Sequence, residues 1–269
     1  MLLLVDLDGV VYRGTVPIEG MPALLARREA DGDIIFYVTN NSRWHRSEYR
    51  QRLEDMGAPA TLEHILTSAR GTALALAARA TPPRLTMVFG GAGLRRELED
   101  VGLATVTSSA SGLAAGPDAV ACGVDFELTF ERLSAAAAAV RAGAYFAATN
   151  RDPVFPMPEG LMAGAGSMIA AIATAGGREP DLVVGKPEPG LLRAAAALAD
   201  VPIEQAVVIG DGLLTDMAAA RAVGARSVLM LTGVTSVAQL DALPDDTRPT
   251  AVAAGPHELD SVLDRLSST

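Results

Sequence analysis

The chain has 269 residues, 49% of them hydrophobic and 20% charged, which is apolar enough for a sizeable core and argues against disorder. A formal net charge of −10 excludes the basic face needed for non-specific nucleic-acid binding or for adhesion to an anionic membrane surface. The single cysteine, Cys122, cannot form an intrachain disulfide, and no CxxC pair or Cys/His cluster offers a zinc site, so a reducing compartment is expected.

In chain order, residues 1–5 are apolar, but Asp6 and Asp8 follow at once. No signal-peptide core is therefore expected, and the protein reads as cytoplasmic. The first strand, 2–5, runs into Asp6-Leu7-Asp8-Gly9-Val10. Two carboxylates two residues apart project to the same side of an extended chain, at the strand end where α/β sheets bind ligands. A second strand, 34–38, ends in Thr39-Asn40-Asn41-Ser42, a turn whose hydroxyl, amides and main-chain N–H groups suit phosphate oxygens. Next comes a helix from near Ser47, with Tyr49, Leu53 and Met56 on one face and a stop at Gly57.

A strand at 85–89 leads into Gly90-Gly91-Ala92-Gly93. Arg96 stands where a dinucleotide-binding GxGxxG needs its third glycine, so this reads as a tight turn. Strands follow at 119–122 and 144–148, with an alanine-rich helix at 135–139 between them. The longest uncharged stretch, 160–177, is rich in Gly, Ala, Ser and Thr and reads as a loop plus a packed helix rather than a bilayer span. The strand 182–184 precedes Gly185-Lys186-Pro187, and Lys186 is the only lysine among 22 basic residues. A compact ammonium neutralises phosphate as a point charge, where a guanidinium is wider and planar.

Beyond a helix at 194–197, the strand 206–209 ends in Gly210-Asp211, and Thr215-Asp216 opens a helix that closes at Gly224. Asp211 is placed to hold a hard cation such as Mg²⁺. Strands at 226–231 and, more weakly, 250–253 complete an α/β alternation that predicts parallel sheets. His45, His64 and His257 are scattered, and Trp44 and Tyr49 read as packing residues.

Singly, each motif has an ordinary reading as a solvated turn, a cap or a chance lysine. In sequence, acidic pair, hydroxyl and amides, lysine, acidic pair, taken as four successive strand ends of one sheet, the chain resembles the haloacid-dehalogenase-like superfamily of phosphohydrolases. The spacing refines this. Thr39 follows Asp8 by 31 residues, room for one helix and one strand, whereas Lys186 follows Thr39 by 147. The surplus of about 100 residues is the size of a small domain. With Ala148-Thr149-Asn150-Arg151-Asp152-Pro153 and Gly164-Ala165-Gly166-Ser167, this arrangement is similar to the NagD-like class IIA group.

The resemblance implies a Rossmann-like α/β core of residues 1–81 and 180–269, carrying a parallel sheet, and an inserted α/β cap of residues 82–179. It implies a Mg²⁺-dependent phosphatase that hydrolyses small phosphorylated metabolites through an aspartyl-phosphate. Asp6 would be the nucleophile and Asp8 the general acid and base. Asp6, the Asp8 main-chain carbonyl and Asp211 would hold Mg²⁺, with Asp216 behind them. Thr39, Asn40, Asn41 and Lys186 would bind the phosphoryl group. Cap residues Asn150, Asp152 and Phe155, on the loop from Asn150 to Pro158, would select the substrate, and the cap would form a homodimer. Two other readings are a non-catalytic or signalling phosphate-binding protein on the same fold and a phosphatase specific for nucleoside monophosphates. Asp8 speaks against the first, because only hydrolysis needs a second acid beside the nucleophile.

Overall fold

The computed structural model describes residues 1–157 and 160–267, and its chain divides into two compact α/β units. One comprises Met1–Thr39, Tyr49–Leu66 and Lys186–Thr269, the other Asn40–Glu48 and Thr67–Gly185. Among the described residues, no helix is long and apolar enough to cross a membrane.

The first unit is built on a six-stranded sheet in the order Ala251–Ala253, Arg226–Met230, Ala206–Gly210, Leu2–Val5, Ile34–Thr39, Ile65–Thr67. Pairings from Ala251–Ala253 through Ile34–Thr39 are all parallel. Leu2–Val5 is continuously apolar because helices cover both faces of a parallel sheet, and all four residues are buried. Each such Leu or Val contributes about 1.5–3 kcal/mol on burial. After Leu2–Val5 the chain builds first to one side, then returns to build the other. The carboxyl end of Leu2–Val5 is thus the switch point where open α/β sheets bind ligands. Register makes this concrete: Val5 lies opposite Ile209 and Tyr37, so Asp6, Gly210 and Val38 emerge side by side.

The second unit has its own parallel sheet, ordered Leu182–Val183, Tyr145–Ala148, Ala119–Cys122, Thr86–Phe89, Thr105–Thr107. Cys122 is buried within it, and burial pushes its thiol up and leaves it inert. The helix Phe130–Arg141 packs Ala135, Ala136 and Ala139 on one face of this sheet, where small side chains allow close approach.

Four expectations change. Leu182–Val183 pairs with Ala147 and Ala148 and belongs to the second sheet, so Lys186 does not leave a strand of the first; three strand ends and a connecting turn carry the motifs, not four strand ends. The second unit is also wider than residues 82–179. Helix Ser68–Ala77 buries Ala69, Ala73 and Leu76 against Val88, Leu94 and Leu98, which draws the division back to Thr67 and leaves Pro82-Pro83 inside the unit. Finally, Leu213–Met217 is a π-helical turn leading into Ala218–Val223, so the helix starts before Thr215. The stretch expected as a loop at its start instead forms a hairpin strand, Gly160–Ala163, paired antiparallel with Val154–Met157.

Candidate active site

Asp6 follows directly from Leu2–Val5, its N–H donating to the Ile209 carbonyl at 2.8 Å, so the side chain starts from a fixed point. Lys186 converges on it from the turn after Gly185. Its Nζ donates to Asp6 Oδ1 at 2.6 Å, to Asp216 Oδ1 at 2.6 Å and to the Val38 carbonyl at 2.8 Å. Lys186 is 3% exposed, and these three acceptors suit the three donors of an ammonium. Burial works against the ammonium, but the carboxylates of Asp216 and Asp6 outweigh it and hold Lys186 above its usual range.

The carboxylates respond in the opposite sense. Burial pushes Asp6 well above the ordinary carboxylate range; Lys186 opposes this, while Asp216 and Asp211 add to it. Asp211 is pushed up to about 6 by burial and then by Asp216, against the Val234 N–H and Lys186. Asp6, Asp211 and Asp216 present oxygens that all lie within 4.8 Å of one another. Three carboxylates facing one ammonium leave a surplus of negative charge among hard oxygen donors, a donor set that suits Mg²⁺. Asp216 is already engaged at both oxygens, Oδ1 by Lys186 and Oδ2 by the Gly212 N–H at 3.1 Å and the Thr215 hydroxyl at 3.3 Å.

Asp8 is the exposed member of its pair, yet the protein around it raises its pKa; the Arg52 guanidinium and the Gly14 N–H act the other way. A carboxyl raised in this manner is suited to donating a proton. Thr39 ends its strand 4% exposed, beside the Val38 carbonyl that Lys186 binds.

The remaining expected residues lie in the second unit. Asn40 carbonyl oxygen accepts from Ser68 Oγ at 2.6 Å and Asn150 Nδ2 at 2.7 Å, and its own Nδ2 donates to Asp152 Oδ2 at 2.9 Å. Asn150 and Asp152 therefore hold the Asn40 turn. Asn41 Oδ1 accepts the Arg43 N–H at 2.9 Å. Phe155 packs against the apolar core of this unit, its ring 6.0 Å from that of Phe126. Pro158, at the end of the same loop, lies outside the described residues.

The sequence reading overlooked the segment after strand Arg226–Met230. Val234 N–H donates to Asp211 Oδ2 at 2.8 Å, and the Thr235 hydroxyl donates to the Asp211 carbonyl. A Cβ on Gly233 would stand 1.7 Å from Asp211 Oδ2, and one on Gly9, at φ +78°, 2.1 Å from the same atom. Only glycine at both positions leaves that oxygen its place. Nothing but the Gly233 itself marked this segment, because its contribution is a main-chain N–H.

With this geometry in hand, comparison with known proteins is direct. Residues 3–104 match the haloacid dehalogenase-like hydrolase family and residues 183–259 a second, HAD-hydrolase-like model. The chain is 37% identical over 260 residues to the D-glycerol 3-phosphate phosphatase of Mycobacterium tuberculosis, covering 97% of this chain and 70% of that protein. In structure it is similar to a p-nitrophenyl phosphatase from Archaeoglobus fulgidus, with a TM-score of 0.89 at 30% identity, over 97% of this chain and 98% of the other. It is also similar to a glycerol phosphate phosphatase from Mycobacterium tuberculosis in complex with magnesium, with a TM-score of 0.86 at 36% identity, over 96% of this chain and 75% of the other. The chain belongs to the haloacid dehalogenase-like hydrolases, and among them to the NagD-like phosphatases.

Proposed function

We propose that this chain hydrolyses small phosphomonoesters in two steps, with Mg²⁺ as its cofactor. The observation that carries the reading is Lys186 Nζ, seated 2.6 Å from both Asp6 and Asp216 in a pocket of carboxylates. A lone buried lysine satisfied by two acids is a structural ion pair; one whose acid partners crowd a third carboxylate at a sheet switch point is a site poised for a cation and an anion.

In this reading Asp6 attacks phosphorus and forms an aspartyl-phosphate as the alkoxide leaves. Asp8 protonates that alkoxide and then takes the proton of the water that hydrolyses the intermediate. Thr39, the Asn40 and Asn41 turn and Lys186 hold the phosphoryl oxygens. Asp6, the Asp8 carbonyl and Asp211 would hold Mg²⁺, with Asp216 orienting Lys186 and the metal shell. Bound there, the ion supplies charge neutralisation for the phosphoryl group. In the same reading the second unit is the cap domain and contributes Asn150, Asp152 and Phe155 to substrate selection, the first two by fixing the Asn40 turn. We also propose a cytoplasmic protein, and a homodimer through the hairpin that exposes Val154, Leu161 and Met162. Phosphate release from p-nitrophenyl phosphate with and without Mg²⁺ tests the reading: activity that EDTA removes and Mg²⁺ restores supports it, and metal-independent turnover or none contradicts it.

A further inference from the structure

Tyr12 ties together the loop that carries Asp8. Its N–H donates to the Leu7 carbonyl at 3.2 Å, and its own carbonyl accepts the Gly9 N–H at 2.8 Å. The residues on both sides of Asp8 are therefore bonded to Tyr12. The Val11 N–H closes on the same Leu7 carbonyl at 2.8 Å, and the Thr232 hydroxyl holds the Gly9 carbonyl at 2.6 Å. Asp8 itself stays exposed, while Tyr12 is buried beneath it in the core of the first unit.

Arg52 covers the Tyr12 ring, its guanidinium carbon 3.8 Å from the ring centre. Both residues belong to the first unit. Arg52 Nη2 is buried and, among the described residues, makes no hydrogen bond. Its neighbours on the helix Arg46–Asp55 are satisfied in ordinary ways: Arg50 Nε pairs with Glu54 Oε1 at 3.7 Å, and Gln51 Nε2 donates to Asp55 Oδ1 at 2.9 Å. A buried donor without a partner is costly, so a guanidinium kept in that place points to a task other than surface charge. The aromatic face supplies the task, because its quadrupole attracts a cation, and more strongly where water is excluded. Leu53, next on the helix, is buried in the same core as Tyr12 and Val11, so the backbone that aims Arg52 is itself anchored. Electrostatics agree with this placement: burial raises the Asp8 carboxyl, and the charge that acts most strongly against that is the Arg52 guanidinium.

We infer that Arg52 is a positioning residue for the reaction: by clamping the Tyr12 ring it fixes the loop that carries Asp8, and so the point from which the Asp8 carboxyl meets the leaving-group oxygen. The inference rests on the proposed phosphatase function, since it takes Asp8 as the general acid. Proton transfer from a positioned acid supplies about 10²–10⁴-fold, and a displacement of about 1 Å can cost about 10²-fold. Loss of the clamp is expected to forfeit part of this, about 10-fold, and only where the leaving group needs the proton.

The test compares kcat/KM at saturating Mg²⁺ for two esters of nearly the same shape. One is p-nitrophenyl phosphate, whose nitro group stabilises the departing phenolate; the other is phenyl phosphate, whose more basic phenolate depends on the proton. It is run on the full chain, Arg52→Ala, Arg52→Lys, Asp8→Asn and the Arg52→Ala, Asp8→Asn double variant, with thermal unfolding as a check on folding. We expect Asp8→Asn to raise the nitrophenyl-to-phenyl ratio most and Arg52→Ala to raise it about 10-fold. Arg52→Lys should raise it less, because an ammonium still attracts the ring. The double variant should match Asp8→Asn, because Arg52 acts through Asp8. A merely structural role would slow both esters alike and leave the ratio in place. A ratio unchanged in Arg52→Ala, or a double variant in which the two effects multiply, overturns the inference. Should Arg52→Ala not fold, Arg52→Gln, which keeps part of the stem and loses the charge, decides by the same ratio. Failure of the phosphatase reading looks different: no Mg²⁺-dependent hydrolysis by the full chain, or a ratio that Asp8→Asn does not move, either of which removes the inference with it.

Discussion

Lys186 neutralises two buried carboxylates at once, so its replacement acts twice. Removing the ammonium leaves Asp6 and Asp216 facing each other in a buried site, and breaking such a pair typically costs about 3–5 kcal/mol unless protons or metal intervene. Lys186→Arg keeps the charge but not the shape: a planar fork cannot place three donors on Asp6, Asp216 and the Val38 carbonyl in the space one ammonium fills. We expect kcat/KM to fall about 10²–10³-fold, the range for loss of one preorganised charge-stabilising donor, in assays with p-nitrophenyl phosphate. Gly233→Ala makes a complementary prediction. Its Cβ would displace Asp211 Oδ2, so Mg²⁺ affinity should weaken about 10- to 100-fold by titration, with a smaller effect on turnover at saturating metal.

The pH dependence belongs at the same scale. Asp211 holds its proton up to about pH 6 in the metal-free fold, against an ordinary value near 3.8. Between these limits the folded state binds more protons than the unfolded one, so metal-free stability should fall as pH rises from about 4 to about 6, and Asp6, raised in the same sense, adds to the fall. Mg²⁺ requires the ionised carboxylate, so its stabilising effect should grow over the same interval. Thermal unfolding with and without Mg²⁺ across this range checks both signs. Metal-free stability that rises through the window would contradict the account.

At the level of elements, helix Ser68–Ala77 is decisive for how the two units can be separated. Its buried residues Ala69, Ala73 and Leu76 belong to the core of the second unit, and Ser68 holds the Asn40 carbonyl. Excision of residues 82–179 should therefore leave an apolar helix face uncovered, seen as binding of a hydrophobic dye and loss of cooperative unfolding. A soluble, cooperatively folding remnant would show that this helix is autonomous. The elements also show what a sequence discloses. Long apolar runs such as Ala119–Cys122 and Ala206–Gly210 were legible because both faces of a parallel strand are covered. Tyr12–Arg13 and Val16–Pro17, two residues each, carry no period to read, and nor does Ile65–Thr67. Leu182–Val183 was legible as a strand but not as a member of one sheet or the other, because membership is decided by its pairing with Tyr145–Ala148.

For the whole molecule, the acidic and basic groups expected to share a site were recognisable as residue types that parallel strand ends require, and the structure brings Asp6, Lys186, Asp211 and Asp216 together. Contributions made through main chain were not recognisable: the Val234 N–H on Asp211 and the Asn40 carbonyl held by Ser68 and Asn150 leave no side-chain signature at the position that acts.

The central claim is that Asp6 is the nucleophile of a Mg²⁺-dependent phosphatase. It is tested most directly by p-nitrophenyl phosphate hydrolysis with Mg²⁺ in Asp6→Asn, whose carboxamide has a similar shape but attacks phosphorus poorly. We expect a loss of at least about 10⁴-fold in kcat, beyond what general acid–base help alone supplies, in a protein that still unfolds cooperatively. Turnover by Asp6→Asn at a rate near that of the unaltered chain would contradict the account.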